Sequence, residues 1–150
     1  MIGILGAGSL GRLWGARLPA GDVAFIVRPG EPTDSDIQYR FRPFQGAETA
    51  VCIQLLKASD NPEQILVTTK AGDTLDAIAG VIDQFPVAIP ILLFQNGLGS
   101  QQAVAERWPQ RPILAASTTE GANRPEPGLL VHAGTGDTWV GSLTEPAKIS

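Results

Sequence analysis

The chain carries one cysteine, Cys52, so an internal disulfide is excluded and a reducing compartment is expected. Cys52 falls in an alternating strand pattern that predicts a buried, inert thiol. Nowhere is there an apolar run of about 18 residues, the least that a spanning helix needs. The first strand begins at Ile2, which leaves no room for a charged-then-apolar leader, so the cytoplasm is the expected location and no membrane is involved. Basic charge is not in excess: 11 Lys and Arg face 15 Asp and Glu, a net charge of −4. Such a field attracts neither nucleic acid nor an anionic lipid surface, though a local basic pocket for a phosphate stays open. Clusters of His and Cys at metal-ligand spacing are missing, so no metal is expected, and there is no nucleophile elbow. Internal repeats and low-complexity segments are missing too, and the proline-rich stretch 125–128 is too short for a linker and reads as a loop between strands. One domain over residues 1–150 is therefore expected, with a core that the 43% hydrophobic content can fill.

What is present is a strand that runs into glycines and then into a helix. Residues 2–5 are apolar, residues 6–11 read G-x-G-x-x-G, and Leu10, Leu13, Trp14 and Leu18 recur at helical spacing. In that order Gly6 serves the tight turn, Gly8 lets backbone approach a pyrophosphate, and Gly11 lets the helix pack on the strand. Ala7, Ser9 and Leu10 complete the loop, and the helix N-terminus offers free N–H groups and a positive dipole end. A helix over residues 9–18 and a buried strand over 22–27 finish a β-α-β unit. Alternation at Ile37, Tyr39 and Phe41 and at Val51, Ile53 and Leu55 predicts an antiparallel hairpin with one wet face, turning near Gly46. Buried strands follow at 65–69, 90–94 and 112–116, with helices at 74–85 and 100–108. Two last strands, 129–133 and 138–141, read as a pair joined through residues 134–137. The expected fold is α/β: a Rossmann-like, doubly wound, mostly parallel sheet with an inserted hairpin and two extra C-terminal strands.

Ligands of such sheets bind beyond the carboxyl ends of the strands. Arg28 directly follows the second strand, where an acid would accept the ribose hydroxyls of NAD; an arginine suits the 2′-phosphate of NADP instead. Lys70 ends the strand at 65–69 and is placed to meet cofactor ribose or phosphates. Asn96 ends the next strand beside Gly97 and Gly99, and its amide can donate to and accept from a ribose hydroxyl or a substrate carbonyl. His132 reads as a structural histidine inside a strand. Glu120 lies at a strand end near the nicotinamide side, with no partner visible in the sequence.

Together these segments resemble the N-terminal domain of the ketopantoate reductases. The resemblance runs through residues 4–14, 27–28, 66–71, 91–99, 117–119 and 131–133. It implies that Gly6, Ala7, Gly8, Ser9, Leu10 and Gly11 bind the NADP(H) pyrophosphate and that Arg28 binds the 2′-phosphate. Lys70 and Asn96 would hold the nicotinamide-side ribose, Asn96 would also reach substrate, and Ala122 would touch the cofactor through backbone. Members of that family carry their general-acid lysine and most substrate contacts in a second, helical domain, which is expected to be absent from these 150 residues. No catalytic residue is therefore assigned here. The implied parent reaction is NADPH-dependent reduction of a 2-keto acid, ketopantoate, to pantoate for pantothenate synthesis, with the isolated chain inactive or nearly so. A stand-alone dinucleotide-binding or regulatory module, and the cofactor domain of a reductase for another 2-keto acid, are the alternatives. The face that a second domain would cover is expected to favour a homo-oligomer.

Overall fold

A computed structural model describes residues 1–57, 59–94 and 98–148. Its main sheet is six-stranded. Five strands are parallel in the order β2-β1-β5-β6-β7: β1 (Ile2–Leu5), β2 (Val23–Ile26), β5 (Gln64–Val67), β6 (Ile91–Leu93) and β7 (Ile113–Thr118). Their apolar runs are buried on both faces, as parallel strands covered by other layers must be. β10 (Thr138–Ser142) closes the β7 edge in antiparallel register. The strand order reverses at β1, with β2 on one side and β5 on the other, and a crevice for a ligand opens at such a reversal.

The predicted hairpin exists, β3 (Ile37–Arg42) with β4 (Thr49–Ile53), and Gly46 sits in its turn at φ +115°. It does not extend the parallel sheet. It forms a second sheet, β4-β3-β9-β8, with β8 (Gly121–Glu126) and β9 (Leu129–Gly134). The helix α1 (Ser9–Arg17) packs between this sheet and the first. On that side Ile4, Leu13, Phe25, Tyr39, Phe41, Ile53 and Leu130 make one core, and the Tyr39 hydroxyl donates to the Arg12 carbonyl at 2.6 Å. The opposite face of the main sheet is covered by α2 (Thr74–Ala79), and Ile78, Ile82, Phe85 and Val104 join Val67, Leu93 and Ile113 in a second core. Val104 belongs to α3 (Leu98–Arg107).

Four expectations need correction. The last two strands do not pair with each other. β9 pairs with β8 and β3, whereas β10 crosses to β7, so residues 134–137 bridge the two sheets rather than turn a hairpin. Thr119 anchors this crossing: its N–H donates to the Asp137 carbonyl at 3.0 Å, and its hydroxyl accepts the Asp137 N–H at 2.9 Å. The stretch 125–128 is not merely a loop, because β8 runs through Pro125 to Glu126 and Gly128 turns the chain at φ +78°. The helix expected over 74–85 stops at Ala79, with Gly80 as its cap, and resumes as a 3-10 turn over Ile82–Gln84. The buried Arg111 guanidinium donates to the carbonyls of Ile82, Phe85 and Pro86 at 3.2–3.3 Å, satisfying groups that a helix end leaves open.

Cys52 is the fourth. It is exposed, on the wet face of the outer strand β4, and its thiol donates to the Asp36 carboxylate at 3.4 Å. That hydrogen bond, with lesser effects of desolvation and charge, raises the thiol pKa and keeps it protonated.

Candidate functional site

The β1–α1 turn is built by backbone constraints. Gly6 leaves β1 at φ +112°, a left-handed value, and its carbonyl accepts the Thr68 hydroxyl at 2.8 Å from the end of β5. A Cβ on Gly11 would overlap that same Gly6 carbonyl, so the helix can approach the strand only with glycine there. Gly8 is different. A Cβ on it would meet nothing within 4 Å, so this position borders open space at the start of α1. The first helical hydrogen bond runs from the Arg12 N–H to the Gly8 carbonyl at 3.0 Å, leaving the amides of Ser9, Leu10 and Gly11 in the first turn. That turn holds no acidic side chain to oppose an anion. The Arg12 side chain is turned back, donating through Nε to the Ala7 carbonyl at 2.8 Å, and so braces the loop.

Arg28 follows β2, is exposed and has no ion-pair partner among the described residues. Lys70 is exposed beyond β5, and its carbonyl accepts the Asp73 N–H at 2.9 Å and the Thr74 hydroxyl at 3.0 Å. Asn96 lies outside the described residues. Ala122 lies on β8 and lines a cleft of about 210 Å³ with Ser9, Leu10, Phe94, Thr118 and Glu120. The structure thus brings Ser9, Leu10 and Ala122 to one cleft, and places Arg28 and Lys70 beyond the carboxyl ends of β2 and β5, the two parallel strands that flank β1.

Glu120 and His132 are the residues that sequence reasoning undervalued. The Glu120 side chain is only 9% exposed, and its Oε2 lies 2.7 Å from Arg17 Nη1 and 2.6 Å from His132 Nε2. The partner that the sequence did not reveal is therefore a pair, one from the end of α1 and one from β9. The hydrogen bond from Arg17 is the chief reason that the Glu120 carboxyl is held below its ordinary pKa, despite the opposing effect of burial. His132 is buried and edge-on to Phe44 at 6.1 Å. Its alignment with Glu120 follows from the β8–β9 pairing, in which His132 stands opposite Ala122.

A family profile described as "Ketopantoate reductase PanE/ApbA" matches residues 2–145. This chain belongs to the ketopantoate reductase family. A 2-dehydropantoate 2-reductase from Halobacterium salinarum is 33% identical over 146 residues, covering 92% of this chain and 48% of that protein. The chain thus spans about half the length of the curated relative it matches. Among solved structures, a probable 2-dehydropantoate 2-reductase from Bacillus subtilis superposes with a TM-score of 0.76 at 22% identity, over 97% of this chain and 50% of that one. A D-mandelate dehydrogenase solved with NADH and anilino(oxo)acetate gives a TM-score of 0.75 at 21% identity, over 93% of this chain and 48% of that one. At those identities the two structures speak for the fold: the two-sheet arrangement here is that of the N-terminal, Rossmann-like domain of ketopantoate reductases. No described helix is long and apolar enough to cross a membrane, and the described residues hold no cluster of potential metal ligands.

Proposed function

We propose that this chain is the NADP(H)-binding domain of a 2-dehydropantoate 2-reductase, which reduces ketopantoate to pantoate. The observation that carries the proposal is the open space at Gly8. Gly8 brings no Cβ to the open space at the start of α1, and the first turn of that helix carries no acidic side chain, as suits a pyrophosphate. The 2′-phosphate would pair with Arg28, whose guanidinium is exposed one strand away on the adenosine side. Lys70 and Asn96 would hold the ribose on the nicotinamide side, Asn96 would reach the keto acid, and Ala122 would meet the cofactor through backbone.

Bound there, the reduced nicotinamide supplies the hydride for the C2 carbonyl. This chain's residues bind and orient the donor. Reduction also needs a proton at the carbonyl oxygen, which the residues of the cleft do not supply in this reading. The 150-residue chain by itself is accordingly expected to bind cofactor and turn over little; reduction of ketopantoate at an enzyme-like rate would contradict that.

The test of the cofactor assignment is a pair of titrations, NADPH and NADH, on the chain and on Arg28→Ala. NADPH is expected to bind more tightly, and the substitution to remove most of a roughly 10- to 100-fold preference, the worth of a charged hydrogen bond. Equal affinities in the unsubstituted chain would overturn the choice of NADP(H).

A further inference from the structure

We propose that Glu120, clamped by Arg17 and His132, accepts a hydrogen bond from the carboxamide N–H2 of the bound nicotinamide and so sets the orientation of that ring. The inference rests on the dinucleotide reading above and assigns one of its contacts. It starts from topology. Arg28 stands beyond β2, on one side of the α1 N-terminus, whereas Phe94, Thr118 and Glu120 stand at the carboxyl ends of β6 and β7 on the other. A dinucleotide with its 2′-phosphate at Arg28 and its pyrophosphate at Gly8 sends its second half toward β6 and β7.

The cleft met there, about 210 Å³, is smaller than the roughly 300–1,000 Å³ of a whole-ligand pocket, so it fits one portion of a larger molecule. Leu10, Phe94 and Ala122 give it apolar walls for a ring, and Thr118 and Glu120 give it a polar end. The carboxylate at that end is fixed. Both Arg17 and His132 meet the same oxygen, Oε2, and among the described residues no donor meets Oε1. An ionised carboxylate is an acceptor only, with capacity at both oxygens. A carboxylate that lines a cleft and has one oxygen without a donor is suited to a ligand that donates. Arg17 keeps Glu120 ionised, and therefore an acceptor, through the neutral range. With the ring against the apolar walls, the carboxamide amino group is the cofactor's donor at the polar end.

The test compares NADP+ with its 3-acetylpyridine analogue, in which a methyl ketone replaces the carboxamide and the N–H2 donor is gone. Both would be titrated into the 150-residue chain, Glu120→Gln and Glu120→Ala, with adenosine 2′,5′-bisphosphate as a probe of the other half. The unsubstituted chain is expected to prefer NADP+ by roughly 10- to 100-fold, the range for a hydrogen bond to a charged group. Glu120→Gln, which keeps the volume, is expected to lose most of that preference, and Glu120→Ala all of it, while the bisphosphate binds all three alike. A preference unchanged by either substitution, or absent from the unsubstituted chain, would overturn the proposal. So would an equal weakening of all three ligands, the mark of a purely structural carboxylate. Failure of the bisphosphate to bind the unsubstituted chain would instead sink the dinucleotide reading, and the proposal with it.

Discussion

At the scale of single residues, the three glycines of the loop divide into two kinds. Gly6 and Gly11 are required by the protein itself, one by its positive φ and the other by contact with the Gly6 carbonyl. Gly8 is required by nothing in the protein, and what needs it is the space beside it. Gly11→Ala is therefore expected to lower stability by at least about 1–3 kcal/mol, the usual cost of overpacking, because the atom it meets is backbone and cannot swing aside. Gly8→Ala is expected to leave the thermal midpoint nearly unchanged and to weaken NADPH binding. Melting curves and titrations on both variants check this; the reverse pattern would contradict it. These roles were legible in the sequence because each depends on a few neighbouring residues. Cys52 was expected to be buried and is not: Val51 and Ile53 on either side claim the inner face of the hairpin, which leaves Cys52 the wet one. Glu120 was not legible: His132 meets it through the β8–β9 pairing, and Arg17 comes from a distant segment that only the fold brings in.

At the scale of elements, the parallel strands and α1 followed from apolar runs and helical spacing, while pairing between β9 and β10 did not. Two short strands separated by glycines look like a hairpin, but the hydrogen bonds of Thr119 with Asp137 send the chain from one sheet to the other. The break in the 74–85 helix also depends on a distant residue, Arg111, whose guanidinium takes up the carbonyls freed beyond Gly80. The Arg17–Glu120–His132 cluster ties α1 to the open end of the β8–β9 pair and brings a pH dependence. The folded Glu120 carboxyl titrates below its ordinary value of 4.5. Its stabilising contribution is therefore fully present above that pH and is lost as the pH falls through the folded value. Glu120→Gln is expected to be less stable to urea than the unsubstituted chain at pH 7, with the gap narrowing below pH 4.5. A gap that widens in acid would contradict the sign.

At the scale of the whole molecule, the two sheets and α1 leave one conspicuous edge. All five residues of β10 are exposed, Trp139 and Val140 by more than half, and the strand carries an open row of backbone donors and acceptors. Such an edge invites pairing with another chain, at a surface other than the domain-facing one from which self-association is expected in the sequence. The sedimentation coefficient is expected to rise with concentration for the chain and to stay flat for Trp139→Lys; a flat trace for both would remove the idea. The central claim, that the carboxyl ends of the parallel strands hold NADP(H), is best tested by amide hydrogen exchange with and without NADPH. Protection is expected at residues 6–12, beside Arg28 and Lys70, and over residues 118–122, with the β3–β4 hairpin unaffected. Exchange unchanged by saturating NADPH, or protection confined to the hairpin, would contradict it.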